Sequence, residues 1–280
     1  MGQLGTNQVQ ARESRAGGAV ADAVGAVLRQ FERAAVAVSG GVDSVTLAAL
    51  AHDVLGRRFQ AFHAMSPAVP PEATARVRTH AEQLGWDLVV VDAGEFADPE
   101  YLANPVNRCY FCKRNLYDRI ASVTEQQVLS GANADDLGDY RPGLTAARER
   151  AVRHPYVEAE VTKEEVRALA RHLGLSDVQD LPAMPCLSSR VESGIPIRAD
   201  DLAFVNSVEL WLRDRLAART ARCRIGHAGV RIELDALALA RAESMPDLDV
   251  ETELAERCRA TGRTLAGIEL YARGSAFLHD

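Results

Sequence analysis

Ser39-Gly40-Gly41-Val42-Asp43-Ser44 stands between an apolar run, Ala34 to Val38, and a helical pattern of Val45, Leu47, Ala48, Leu50, Ala51, Val54 and Leu55. Adjacent glycines reach backbone angles closed to other residues and let N–H groups approach an anion, and a helix that follows aims its positive end at the same point. The turn reads as a phosphate-binding loop in which Ser39 and Ser44 can donate to phosphate oxygens and Asp43 can hold a metal ion. It has no lysine, so it is not the GxxxxGK[ST] loop of nucleoside triphosphatases.

A second source of chemistry is sulfur. Five cysteines occur, at 109, 112, 186, 223 and 258. Cys109-Tyr110-Phe111-Cys112 is a CxxC, which can be a redox pair, half a zinc site or part of an iron–sulfur site. No second CxxC or HxxxH completes a zinc site, and Asn104-Pro105-Val106-Asn107-Arg108 reads as a loop, not the strand that precedes a thioredoxin-type pair. Cys109, Cys112 and Cys186 together could instead hold a [4Fe-4S] cluster with one iron left open to carry a sulfide. An unpaired cysteine is most often a small buried hydrophobe, but Pro182, Pro185, two serines and Arg190 surround Cys186 and favour a thiolate. Cys223 and Cys258, in a predicted strand and helix, read as structural.

Arg222 and Arg224, two apart in a predicted strand, project from one face, and their guanidinium forks suit a phosphate. Arg231 and Glu233 share another face by the same period. A solvated strand face with ion pairs would use the same four residues. Asn133, Asp135, Asp136 and Arg141 follow a predicted strand and can contact ribose or phosphate, the second carboxylate of Asp135-Asp136 can assist a metal, or the stretch can simply cap a turn. Arg108 and Lys113 flank the CxxC, where they can touch phosphate or tune thiolates. None of the seven histidines is assigned a role.

The elements that must position these groups alternate. A helix over Ala19 to Phe31 precedes strands at Ala34 to Val38, Phe59 to Met65, Leu88 to Val91 and Gln127 to Leu129, with helical segments between them. This predicts an α/β fold, a doubly wound parallel sheet whose ligands bind at the carboxyl ends of the strands. The glycine turn, Met65 and the Gly131 to Asp136 stretch all fall there and should share a nucleotide site. Thr162-Lys163-Glu164-Glu165 is a capping box for a helix ended by Gly174. The expected organisation is a disordered start (1–18), a nucleotide domain (19–190) and a smaller α+β domain (191–280) with a long helix from Ala199 to Leu216, a hairpin from Arg222 to Leu234, another helix and a last strand from Leu265 to Tyr271. A net charge of -7 disfavours a nucleic-acid partner, and no window approaches a membrane span. The polar first residues lack the apolar core of a secretory signal, so a cytoplasmic protein is expected.

SGGVDS resembles the pyrophosphate loop of the ATP pyrophosphatase (PP-loop) superfamily, whose members split ATP between its α and β phosphates and adenylate an oxygen. Taken with NRCYFCK (107–113), GANADDLGDYRPG (131–143), PCLSSR (185–190), RCR (222–224) and VRIE (230–233), the chain resembles the LarE family of sulfur transferases that mature the nickel-pincer cofactor. The resemblance implies ATP and Mg²⁺ as cofactors, the latter on Asp43, with Ser39, Gly40, Gly41, Asp43, Ser44, Met65, Asn133 and Arg141 at the nucleotide. It implies a pyridinium dicarboxylate mononucleotide as substrate, its phosphate on Arg222 and Arg224, and Cys186 and Glu233 as catalytic residues. Members with only the cysteine matching Cys186 lose its sulfur and are consumed; those with all three resemble cluster-bearing forms, the route expected here. Relatives form closed oligomers, so a homo-oligomer is expected. Ser188 stands where many relatives carry alanine, with no functional consequence expected.

Three other readings share parts of this pattern. A tRNA-thiolating PP-loop enzyme would want a basic RNA-binding surface, an ammonia-using NAD or GMP synthetase would have no use for the three cysteines, and a nucleotide-sensing scaffold would not need an intact Asp43 and Ser44.

Overall fold

The computed structural model describes residues 16–138, 141–244 and 249–272. Its elements in chain order are α1 (16–28), β1 (Ala34–Ala37), α2 (Val42–Leu55), β2 (Phe59–Ala64), α3 (Pro71–Leu84), β3 (Leu88–Val91), α4 (Pro99–Leu102), α5 (Arg108–Ala121), β4 (Gln127–Leu129), α6 (Pro142–Glu149), α7 (Pro155–Glu158) and α8 (Lys163–His172). Then come α9 (Ala199–Leu216), β5 (Ala221–Gly226), β6 (Gly229–Leu234), α10 (Ala236–Ser244), α11 (Val250–Ala260) and β7 (Leu265–Leu270). Residues 16–18, expected to be disordered, are helical, and residues 1–15 lie outside the described residues. The chain forms two compact units, one running to Asp98 and resuming over Asn107–Met184, the other comprising Pro99–Val106 and the chain from Pro185.

In the first unit four parallel strands lie in the order β3-β2-β1-β4. The sheet is buried on both faces, which explains why its strands read as short apolar runs and not as apolar–polar alternation. Ala34 and Val36 of β1 join a core with Val24 and Leu28 of α1, Leu47 and Leu50 of α2, and Val166 and Leu169 of α8. Ala35, pointing the other way, packs with Phe62 of β2 and with Leu116, Tyr117 and Ile120 of α5. Truncating a fully buried leucine such as Leu47 or Leu169 to alanine costs about 2–5 kcal/mol. A parallel bridge from Leu129 to Arg153 extends the sheet beyond β4, a fifth edge too short to read from sequence. β1 and β2 each stop one residue early, although the amide N–H groups of Val38 and Met65 still reach Phe62 and Val91 in the neighbouring strands.

The second unit is the expected α+β assembly: β5 and β6 pair antiparallel, β6 and β7 parallel, and α9 buries Leu202, Val205, Val208, Leu212 and Leu216. Two helices, α10 and α11, lie between β6 and β7 where one was expected. No helix among the described residues is long and apolar enough to cross a membrane.

Candidate active site

The glycine turn leaves β1 and enters α2 at Gly41, the N-cap, whose first-turn N–H groups are met by no capping side chain. Only one of its two glycines needs glycine's conformational freedom. Gly40 has φ +84°, and a Cβ there would lie 2.7 Å from the Ala73 carbonyl oxygen of α3. Gly41 has φ -85° and ψ 165°, angles open to any residue. Its missing side chain keeps the loop surface bare, with Ser39 Oγ 3.7 Å from where a Cβ would be. The loop is braced from several sides. Arg76 of α3 donates to the Gly40 carbonyl at 2.8 Å, and Ser44 Oγ accepts from the Ser39 N–H at 3.0 Å and donates to the Gly41 carbonyl at 3.1 Å.

Asp43 and Ser44 lie in the first turn of α2. The backbone at Asp43 and Ser44 sits 3.0 Å from the place of a Gly131 Cβ, so the segment after β4 closes directly over the loop and a side chain there would push the loop by a few tenths of an ångström. Asn133 follows: its Nδ2 donates to Asp43 Oδ1 at 3.3 Å, its Oδ1 accepts from the Asp135 N–H, and its own N–H reaches Asp136. The predicted turn-capping role and the predicted approach to the loop are thus both present in one residue. Arg141 pairs with Asp136 at 2.8 Å, and Met65, half exposed, directly follows β2. His154 joins the same strand edge, its Nδ1 2.8 Å from Ser130 Oγ, and burial with the nearby Lys113 cation holds its pKa below the usual histidine value.

Lys163 is a residue that sequence reasoning missed. In the sequence it is only part of a capping box, and that box is present: Thr162 accepts from the Glu165 N–H, and Glu165 bonds back to the Thr162 N–H. With its backbone N–H held by Asp135, Lys163 extends its ammonium onto Asp43. The glycine turn lacks a lysine in sequence but acquires one in space. A lysine at the first position of a helix that opens beside a glycine turn was the available signal.

Cys109 and Cys112 lie in the first turn and a half of α5. The segment up to Asn107 is irregular, but Arg108 is already helical, so the CxxC does open a helix, after a loop and not after a strand. Spaced by three, the two thiols share one helical face; Cys109 is exposed and Cys112 partly so. Between them Tyr110 donates to Glu149 at 2.7 Å, and the Arg114 guanidinium stacks over Phe111. Cys186 belongs to the second unit, and among the described residues no group of three or more His, Cys, Asp or Glu side chains is arranged to hold a metal ion.

In the second unit the Cys186 turn runs alongside β5. Val191 bridges to Ile225 in parallel, and the Glu192 N–H reaches the Ile225 carbonyl. Arg190 anchors the turn by donating to the carbonyls of Pro185 at 2.7 Å and Cys186 at 3.1 Å. Ser188, for which no functional consequence was expected, is fully buried and bonded to Tyr101 Oη at 2.6 Å, so its hydroxyl has a structural use. The strand register corrects the two-face reading of the arginines: Arg222 pairs with Glu233 and Arg224 with Arg231, and directly opposed residues share a face. Arg222, Arg224, Arg231 and Glu233 therefore form one cluster. Glu233 is fully buried, bonded by Arg224 Nε at 2.5 Å with Arg231 at 3.6 Å, and Arg224 also reaches the Ser189 carbonyl at 3.3 Å. Arg222 is mostly buried over the Tyr271 ring, and burial plus the Arg190 charge lower its pKa. Cys223 and Cys258 are buried, and burial pushes both thiols up, as structural cysteines require.

Residues 16–220 match the asparagine synthase family. The chain is also 34% identical over 214 residues to pyridinium-3,5-bisthiocarboxylic acid mononucleotide synthase of Lactiplantibacillus plantarum, covering 75% of this chain and 77% of that one. The chain belongs to the LarE family of PP-loop proteins. This LarE protein is 43% identical over 215 residues to an uncharacterized protein of Synechocystis sp., across 74% of the chain and 80% of the relative. It is 29% identical over 161 residues to a component of the glutamine-hydrolyzing GMP synthase of Methanocaldococcus jannaschii, across 52% of the chain and 51% of the relative. Family membership makes it an ATP-using enzyme.

Proposed function

We propose that this chain adenylates a carboxylate of pyridinium-3,5-dicarboxylate mononucleotide and replaces one carboxylate oxygen with sulfur. The carrying observation is a braced PP-loop, bare of side chains at Gly40 and Gly41, with Asp43, Asn133 and Lys163 at its helix start, in a chain whose similarity to a mononucleotide thiocarboxylate synthase spans both units. Asp43 and the loop hydroxyls form an oxygen-rich donor set that suits Mg²⁺, which when bound neutralises charge on the departing pyrophosphate. Lys163 then exchanges Asp43 for a phosphate oxygen, and the bare N–H groups at Gly40 and Gly41 hold the rest.

The carboxylate oxygen attacks the α-phosphorus, pyrophosphate leaves, and the resulting acyl adenylate gives a carbon that a thiolate can attack. A cysteine thiolate forms the C–S bond and AMP leaves with one of the original oxygens. When Cys186 is the donor, loss of its Cα proton and cleavage of its Cβ–S bond release the thiocarboxylate and leave dehydroalanine. Cys109 and Cys112 are the extra thiolates by which this chain would hold an iron–sulfur cluster with Cys186, and such a cluster supplies a labile sulfide that spares the protein. Arg222 and Arg224 receive the substrate phosphate, and Glu233, between Arg224 and Arg231, keeps that guanidinium aimed. The first unit thus serves activation and the second substrate and sulfur delivery, in a cytoplasmic homo-oligomer acting on a small molecule.

The test is anaerobic reconstitution with iron and sulfide, then turnover with MgATP and the dicarboxylate and mass spectrometry of the Cys186 peptide. Cluster-supported repeated turnover leaves Cys186 intact; single turnover with dehydroalanine assigns the sulfur to Cys186; no thiocarboxylate in either preparation overturns the proposal.

A further inference from the structure

Glu209, in the middle of α9, is fully buried, a position carboxylates occupy only when cations and donors surround them. Its surroundings are specific. Arg190 grips it with two parallel bonds, Nε to Oε1 at 2.8 Å and Nη2 to Oε2 at 3.0 Å, the fork geometry that fixes direction as well as distance. Oε1 also accepts the Cys223 N–H at 3.1 Å, and Oε2 faces Arg213 at 3.2 Å and Arg222 at 3.9 Å.

Those partners belong to the two segments that carry the chemistry of this unit. Arg190 turns its remaining nitrogen on the Pro185 and Cys186 carbonyls, and the Cys186 carbonyl is further held by the Ser189 N–H at 3.0 Å and Ser189 Oγ at 2.7 Å. Cys223 lies between Arg222 and Arg224 in β5. A buried ion pair is weak as a source of stability, since apolar side chains of similar volume often serve as well, and what it can supply is a defined arrangement. Here one carboxylate spans the cysteine turn and the arginine strand.

We propose that Glu209 is a positioning residue for sulfur transfer: through Arg190 it holds the backbone of Cys186, and through the Cys223 N–H and Arg222 it holds the strand that receives the substrate phosphate. The inference rests on the sulfur-transfer reading, but its structural half does not need turnover to be seen. It predicts a division of effects. Glu209→Gln loses the charge that serves both segments, so thiocarboxylate formation falls about tenfold or more while KM for the mononucleotide rises about fivefold, with KM for ATP unchanged. Arg190→Lys keeps the positive charge but loses the fork, so the rate falls and KM for the mononucleotide does not move.

The experiment uses the full chain and compares these variants and their double by steady-state kinetics, with hydrogen exchange read on peptides covering 183–192 and 221–226. The expected result is faster exchange in both peptides for Glu209→Gln, in 183–192 alone for Arg190→Lys, and a double variant no worse than Glu209→Gln. Wild-type kinetics in Glu209→Gln, unchanged exchange in both peptides, or losses that multiply in the double variant would overturn the proposal. Should Glu209→Gln fail to fold, Arg190→Lys carries the test through its rate-only loss and local exchange. If the wild type forms no thiocarboxylate, the reaction reading fails while the exchange data still decide whether Glu209 holds both segments.

Discussion

Gly40→Ala probes the loop more sharply than any change to a charged residue, because its cost can be built from two separate terms. A non-glycine residue at φ +84° is strained by about 1–2 kcal/mol. The new methyl would also meet the Ala73 carbonyl oxygen at 2.7 Å and the Ala73 Cα and Cβ at 3.1 Å, a contact with backbone that can be relieved only by moving the loop away from α3, for about 1–3 kcal/mol more. The sum is about 2–5 kcal/mol of stability, and because the loop must shift, pyrophosphate release falls about 100-fold. Gly85→Ala is the matched control: φ is +69° at the end of α3 with nothing within 4 Å of the new Cβ, so it costs only the strain, about 1–2 kcal/mol, and leaves activity intact. Urea unfolding and a pyrophosphate-release assay on both variants provide the comparison. A Gly40→Ala protein as stable and as active as Gly85→Ala would refute the reasoning.

Gly41→Ala, at ordinary angles, should change stability by less than about 1 kcal/mol yet raise KM for ATP, because the methyl covers the surface that phosphate approaches; an unchanged KM would remove Gly41 from the site. Lys163→Met breaks an ion pair whose side chains are about a third exposed, so unfolding free energy moves by less than about 1 kcal/mol while pyrophosphate release drops about 10- to 100-fold; an equal loss in both would make Lys163 structural. Arg224→Ala removes the nearest cation from the buried Glu233 and should cost about 3–5 kcal/mol by urea titration, whereas Arg231→Ala, whose side chain is 46% exposed, should cost under about 1 kcal/mol. Buried His63, between the Val38 carbonyl and Thr74 Oγ1, has its pKa lowered, chiefly by burial. The unfolded chain therefore takes up the proton first as pH falls below 6.5, and stability is present above that value and declines through the lower folded pKa; His63→Gln should flatten that part of the stability–pH curve, and an unchanged slope would exclude His63 as its source.

Local signals carried most of the fold. The four sheet strands were legible as short apolar runs between helical segments, and α8 was legible because its hydrophobic period is bounded by the Thr162 capping box and Gly174. Long-range pairing was not. The register that sets Arg222 against Glu233 depends on a two-residue turn and a neighbouring strand, so a period-two reading of each strand alone put Glu233 on the wrong face. Lys163 and Glu209 were missed for a related reason: a lysine in a capping box and a glutamate in an amphipathic helix look like solvated surface, and only the fold brings one onto Asp43 and buries the other under Arg190. The glycine pair was half understood, since only Gly40 needs its left-handed angle.

In the proposed function, carboxylate activation and sulfur donation belong to one reaction of this chain. Mass spectrometry of the mononucleotide after incubation with the purified protein and MgATP tests that coupling most directly. The expected result is one carboxylate oxygen exchanged for sulfur for each AMP released, and loss of that product in Cys186→Ser. Release of AMP and pyrophosphate with the carboxylates unchanged, or converted to amide when ammonia is supplied, would contradict it.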